Sequence, residues 1–103
     1  MTKRTVPLLV GNWKTTPATL VEAVKFVKAL DKKLASAKTK SVKTLPKKSY
    51  YLATPDIFIP HLQDIATHGY IGSQNISGVS LGQETGETIP SMIITGGADF
   101  AII

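Results

Sequence analysis

The sequence predicts an α/β fold in which four parallel strands are covered by helices. Short apolar runs that end in glycine or polar residues alternate with segments of helical periodicity. A helix between consecutive strands implies right-handed crossovers and therefore a parallel sheet. The composition, 43% hydrophobic and 18% charged, is typical of a globular domain and argues against disorder.

The first predicted strand is Val6–Gly11, an apolar run bounded by a turn residue and therefore expected to be buried, and polar residues follow it directly. Because side chains alternate along a strand, Val10, Asn12 and Lys14 are expected on one face and Trp13 on the other. Ligands of α/β proteins bind at the carboxyl ends of parallel strands. Lys14 suits a phosphate or a developing oxyanion, and Asn12 could orient Lys14 or contact the ligand itself. The alternative at this point is a solvated lysine just past a strand end.

The first predicted helix is Pro17–Ser36, with Thr16 as its cap and Pro17 at its first helical position. Its apolar residues recur every three or four positions and form one stripe: Leu20, Val24, Val27, Leu30 and Leu34. We expect this stripe to cover the outer side of the sheet, where Trp13 is predicted to point.

The remaining elements are shorter. In order, they are the strand Tyr50–Ala53, the helix Ile59–Thr67 ended by Gly69, the strand Tyr70–Asn75, the helix Pro90–Thr95 and the strand Phe100–Ile103. Lys38–Ser49 is predicted to be a basic surface connection, and Ile76–Thr88 a long loop. Loops of this length in compact domains are usually functional or disordered.

The charge pattern and the histidine spacing argue against a nucleic-acid site and a metal site. The net charge of +5 comes largely from lysines between Lys32 and Lys48, but no arginine or aromatic residue interrupts that lysine series before Lys48. We therefore expect a solvated surface and no nucleic-acid partner. His61 and His68 are predicted to share one face of the second helix without a third ligand nearby, so they are expected to be surface residues and no metal site is predicted.

The expected compartment is the cytoplasm. The chain has no cysteine, which fits a reducing environment. It has no apolar run near the ~18 residues of a membrane span, and Gly11 interrupts the only apolar run near the N-terminus, so neither a membrane partner nor a signal peptide is expected.

Several motifs resemble those of the triosephosphate isomerase family, and they occur in that family's order. They are Gly11-Asn12-Trp13-Lys14, Ala53-Thr54-Pro55, Ser73-Gln74-Asn75, the segment from Thr85 to Met92, and the strand-like segment from Gly97 to Ile103. One such motif would be weak evidence, but their agreement along nearly the whole chain makes the resemblance specific.

The resemblance implies a fold. The chain would be the N-terminal part of a TIM (β/α)8 barrel, with residues 1–103 as a single domain truncated after the fourth strand. A closed barrel of this kind needs about 250 residues. A small open parallel sheet would have the same order of elements.

The resemblance also implies a function: interconversion of dihydroxyacetone phosphate and D-glyceraldehyde 3-phosphate through an enediolate, in glycolysis and gluconeogenesis, without a cofactor. Lys14 matches the family's lysine, which implies a catalytic and a substrate-binding role, and Asn12 matches its substrate-contacting asparagine. Thr85 matches the residue that contacts the partner subunit in the family's homodimer.

The chain also departs from the family pattern. The family's imidazole lies in a Gly-His-Ser-Glu-Arg-Arg segment after the fourth strand, and neither that segment nor the carboxylate base has a counterpart in residues 1–103. Glu84 and Glu87 lie in the long loop, and nothing fixes either near Lys14. We therefore expect this chain alone to be inactive. The alternative is a non-catalytic half-barrel fragment that acts as an assembly module.

Overall fold

A computed structural model describes residues 8–40, 47–79 and 81–103. The strands are β1 (Val10–Asn12), β2 (Tyr50–Thr54), β3 (Gly69–Ser73) and β4 (Phe100–Ala101). The helices are α1 (Leu20–Lys40), α2 (Ile59–Ile65) and α3 (Pro90–Thr95), and a 3-10 turn, Asp56–Phe58, precedes α2. The strands form one sheet in the order β1-β2-β3-β4, and every pair is parallel. The predicted fold class is confirmed, and the third helix has the predicted bounds.

The core lies between the sheet and the first two helices. Ala23 and Val27 of α1 pack with Leu62 of α2 against the sheet residues Leu52 and Ile71. The rest of the predicted apolar stripe of α1 is partly buried against this cluster, which confirms the periodicity.

Trp13 faces α1, as the sequence predicts. Its ring meets that of Phe26 edge to face, with the ring centroids 5.3 Å apart. This contact joins the segment that follows β1 to the helix that covers the sheet.

The opposite face of the sheet carries an aromatic cluster. The register places Val10 beside Tyr51 and Tyr51 beside Tyr70. The rings of Tyr51 and Tyr70 are stacked with centroids 4.7 Å apart, and Phe100 meets Tyr51 edge to face at 5.4 Å. The Lys48 ammonium lies 4.9 Å from the centre of the Tyr70 ring, a cation–π distance.

The first strand is shorter and more exposed than predicted. It begins at Val10 instead of Val6, and Val6 itself lies outside the described residues. The side chains of Leu8 and Val10 are 71% and 44% exposed, so the prediction of a buried strand is wrong. The strand is exposed because it lies at an edge of the described sheet, where β1 pairs only with β2. That pairing begins with Val10 and Tyr51.

Helix α1 begins three residues later than predicted, because a different threonine caps it. The Thr19 hydroxyl accepts a hydrogen bond from the backbone N–H of Glu22 at 3.3 Å, in the spacing of a capping box. Thr16 instead donates its hydroxyl to the Trp13 carbonyl at 2.6 Å. The prediction of Thr16 as cap and Pro17 as first helical residue is therefore wrong.

The second helix is also shorter than predicted. It ends at Ile65, so His68 is not helical and the two histidines do not share a helix face. Gly69 does not end the helix but begins β3, where a Cβ would lie 2.0 Å from the ring of Tyr50. Close packing, and not a helix cap, is what requires glycine at this position.

The third and fourth strands end earlier than predicted. β3 stops at Ser73, because the Ser73 hydroxyl accepts the Asn75 N–H at 3.2 Å and turns the chain out of the sheet. β4 stops at Ala101, although the N–H of Ile102 still donates to the Ser73 carbonyl at 2.9 Å.

A buried carboxylate joins α1 to the amino ends of β2 and β3. Asp31, 8% exposed, accepts hydrogen bonds from the Tyr50 hydroxyl at 2.7 Å and from the backbone N–H groups of Thr67 and His68 at 3.0 and 3.2 Å. In the apolar pattern, Asp31 follows Val27 by four positions, which places it on the buried face of the helix. It lies at the opposite end of the strands from Lys14, so its role is structural.

None of the helices in the described ranges is both long enough and apolar enough to cross a membrane.

Candidate functional site

Asn12 and Lys14 lie together at the carboxyl end of β1, and both side chains are exposed. Asn12 is the last residue of the strand and pairs in register with Ala53 of β2. Lys14 lies beyond the strand in a turn, with a φ of 59°. Strand alternation, from which its direction was predicted, therefore does not extend to Lys14, and the turn determines where this residue lies.

The Asn12 side chain holds that turn. Its Oδ1 atom accepts a hydrogen bond from the Lys14 backbone N–H at 2.8 Å. This is the geometry of an Asx turn, in which a side-chain oxygen replaces a backbone carbonyl two residues before the donor. A positive φ is uncommon for a residue with a Cβ, so it needs such support to persist.

Gln74 holds the turn from the other side. Its Nε2 atom donates to the Lys14 carbonyl at 2.6 Å and lies 3.3 Å from the carbonyl of Ala53. The Ala53 carbonyl also accepts the Trp13 N–H at 2.9 Å. The backbone on both sides of Lys14 is thus tied to the ends of two neighbouring strands.

The Lys14 ammonium is available to a ligand. Within the part of the chain that the structure describes, Lys14 makes its hydrogen bonds through its backbone and forms no ion pair. An ammonium at the carboxyl edge of a parallel sheet can bind an anion or stabilise an oxyanion that develops during a reaction.

A polar cavity of about 390 Å³ lies further along the same edge, between the ends of β2 and β3 and the loop that follows β3. Its lining includes the carboxylates of Asp56 and Glu87. The Asp56 carboxylate accepts the Ser73 hydroxyl at 2.7 Å, which fixes its position. Two carboxylates repel a phosphate, so this cavity does not fit an anionic ligand and Lys14 remains the better anion site.

A second cavity, of about 470 Å³, opens beside Asn12. Trp13, Pro17 and Phe26 give it apolar walls, and Glu22 lies on its lining. It borders the candidate site without including Lys14.

Thr85 is exposed, and it lies in a stretch in which residues 81–87 are all exposed. Within residues 8–40, 47–79 and 81–103, no hydrogen bond joins Thr85 to Asn12 or Lys14. The structure thus brings Asn12 and Lys14 together but does not connect Thr85 with them inside one chain.

The sequence alone identified Gln74 as part of a motif but gave it no role. Gln74 follows β3, and its target lies beyond β1, two strands away. The position of its motif at a strand end was a usable signal, since the carboxyl ends of parallel strands meet at one edge. The length and direction of the side chain required the structure.

The fold and this edge define an α/β protein whose candidate ligand groups lie at the carboxyl ends of parallel strands. The sequence profile of the family described as triosephosphate isomerase matches residues 7–103. The chain belongs to this family, and its fold is consistent with part of a TIM barrel. A comparison with curated proteins found no match. Membership in the family indicates an isomerase at the family level.

Proposed function

We propose that this chain supplies the cationic part of a triosephosphate isomerase site. Lys14 would stabilise the enediolate oxyanion formed between dihydroxyacetone phosphate and D-glyceraldehyde 3-phosphate, and Asn12 would contact the substrate. The observation that carries the proposal is the braced left-handed turn, which leaves the Lys14 ammonium exposed at the carboxyl edge and, among the residues that the structure describes, unpaired.

The proton transfers need other groups. In triosephosphate isomerase, which is a standard example, abstraction of a proton next to a carbonyl uses a carboxylate base and a neutral imidazole. We propose that both come from outside residues 1–103, in a segment that completes the barrel. The proposed reaction takes place in the cytoplasm, as part of glycolysis and gluconeogenesis, and needs no cofactor.

The test is turnover of triose phosphate by residues 1–103, alone and combined with a polypeptide that supplies the imidazole and the base. The proposal predicts no turnover by the chain alone, since proton transfer by positioned groups contributes about 10²–10⁴-fold. It predicts turnover in the combination. Activity of the chain alone, after host enzyme is excluded, would contradict the proposal.

We further propose that the complete protein is a homodimer in which Thr85 contacts the partner subunit. The exposure of the whole of residues 81–87 supports this, because a loop that projects from its own chain is free to reach another. Sedimentation of the complete protein tests it. Thr85→Arg should shift the mass towards the monomer, whereas Lys33→Ala on the exposed side of α1 should not.

A second candidate is a half-barrel that acts only as an assembly module. The aromatic cluster of Tyr51, Tyr70 and Phe100 favours it, because this cluster lies on the sheet face away from the core. Closure of a barrel would bury that face and pair both outer strands. This candidate predicts self-association of residues 1–103, or capture of a complementary half without any turnover. A well-folded monomer that does not bind the complementary half would contradict this candidate.

A further inference from the structure

Two side chains, each at the end of a different strand, bond the backbone of Lys14. Lys14 has a φ of 59°, in the left-handed region that side chains rarely adopt. Asn12, at the end of β1, bonds only the N–H side of the residue. The carbonyl side is bonded by Gln74, which follows β3.

The Gln74 amide is well suited to this second role. An amide NH₂ group carries two donors, so one nitrogen can serve the Lys14 carbonyl at 2.6 Å and face the Ala53 carbonyl at 3.3 Å. The Ala53 carbonyl belongs to the strand that lies between the other two. Gln74 thus connects the turn to β2, an inner strand of the sheet, as well as to the residues that follow β3.

From this geometry we infer that Gln74 is a positioning residue for Lys14. It acts on the backbone of Lys14 through hydrogen-bond donation and touches no substrate. The inference rests on the proposed function, in which Lys14 is the cation of the site. Without the donor, the Lys14 carbonyl loses its partner, and the bonds made by Asn12 and by the Thr16 hydroxyl on the N-terminal side do not keep Lys14 in its left-handed conformation, which moves the ammonium.

Two substitutions separate donation from simple filling of space. Gln74→Glu preserves shape but replaces the donor nitrogen with an acceptor at neutral pH, which the two carbonyl oxygens repel. Gln74→Met preserves length and carries neither donor nor charge. If Gln74 only filled space, neither substitution would change the backbone conformation of Lys14.

The chain contains a matched control. Gln63 in α2 also uses its Nε2 atom to bridge two oxygens, the carbonyl of Gly97 and the carboxylate of Asp99, the latter at 2.8 Å. Like Gln74 it is half-buried, but it lies in the helical layer. Gln63→Met therefore removes an equivalent pair of contacts without touching the turn.

The readout is the backbone conformation of Lys14 by NMR of the 11.0 kDa chain. A positive φ brings the amide and α protons of one residue close together and gives a strong intraresidue NOE. We expect this NOE in the parent and in Gln63→Met, and its loss in Gln74→Glu and Gln74→Met. Persistence of the NOE in both Gln74 variants would overturn the inference. Unfolding of both Gln74 variants while Gln63→Met stays folded would also overturn it, since the bonds would then hold the fold as a whole.

Turnover gives the second readout, in the combination that completes the site. Gln74→Met should lower kcat about tenfold with little change in KM, equivalent to about 1.4 kcal/mol. Equal losses for Gln74→Met and Gln63→Met would contradict the inference. The NMR result does not depend on activity, so the absence of turnover in the parent would refute the proposed function and leave the inference to be decided by the Lys14 NOE.

Discussion

The Oδ1 atom of Asn12 accepts a hydrogen bond from the backbone N–H of Lys14 at 2.8 Å, and so one candidate site residue holds the conformation of the other. The two residues therefore form one unit. Asn12 has a structural task whether or not it also contacts a ligand. A substitution of Asn12 is expected to displace Lys14 as well, which makes Lys14 the cleaner position for testing function.

Replacing Lys14 with glycine should stabilise the fold. Lys14 has a φ of 59°, and the left-handed region costs a residue with a Cβ about 1 kcal/mol more than glycine. We expect Lys14→Gly to raise the free energy of unfolding by about this amount in urea titrations while it removes the cation. Lys14→Ala retains the Cβ and should bring no such gain. A less stable Lys14→Gly variant would show that the turn is not strained.

Asp31 should contribute strongly to stability. Its carboxylate accepts bonds from two backbone N–H groups, and bonds to charged groups are worth roughly 1.5–3 kcal/mol. Asp31→Asn keeps the shape but turns an NH₂ group towards one of these donors, so we expect a loss of about 2 kcal/mol in the free energy of unfolding. Asp64→Asn, at an exposed position of α2, should change it by less than about 0.5 kcal/mol. Equal effects of the two changes would contradict this role.

Stability should fall at alkaline pH because of Tyr50. Burial, and then the hydrogen bond to Asp31 and its negative charge, raise the pKa of the Tyr50 hydroxyl well above its ordinary value of 10.0. The folded chain therefore keeps this proton where the unfolded chain loses it. The stabilising contribution is complete below pH 10 and declines above it, by up to about 1.4 kcal/mol per pH unit.

The measurement is the free energy of unfolding against pH for the parent and for Tyr50→Phe. The difference between the two should be constant below pH 9 and should change above pH 10, as the parent loses stability more steeply. Parallel curves across the alkaline range would show that Tyr50 ionises equally well in both states.

Gly69 should not tolerate a side chain. An added Cβ would lie 2.0 Å from a ring carbon of Tyr50, which is itself buried. Gly69→Ala should therefore lower the free energy of unfolding by about 1–3 kcal/mol, the usual cost of overpacking. At Gly78 an added Cβ meets nothing within 4 Å, so Gly78→Ala serves as the control and should leave the midpoint of thermal unfolding nearly unchanged. A tolerated Gly69→Ala would show that the ring of Tyr50 can move aside.

The sequence predicted the fold well because alternation and periodicity depend on local spacing. Parallel pairing and the buried stripe of α1 both follow from that spacing and are confirmed. Element ends were predicted less well, since they depend on single hydrogen bonds. Thr19 and not Thr16 caps α1, and the Ser73 hydroxyl ends β3.

The site was predictable in part. The motif after the first strand identified Asn12 and Lys14 as candidate site residues, and the structure places them together. The left-handed turn and the contribution of Gln74 are tertiary features, because they depend on a side chain that crosses two strands. The roles of Asn12, Lys14 and Thr85 in catalysis and assembly stay predictions.

The most direct test of the central claim is the effect of Lys14→Ala on kcat/KM for the interconversion of the two triose phosphates. It is measured in the combination that supplies the imidazole and the base, with Lys33→Ala as a control for loss of surface charge. Loss of a fixed cation beside the developing oxyanion should cost roughly 3 kcal/mol, so Lys14→Ala should lower kcat/KM more than a hundredfold while Lys33→Ala stays near the parent. A Lys14→Ala value within tenfold of the parent would contradict the claim and make Lys14 an ordinary surface lysine.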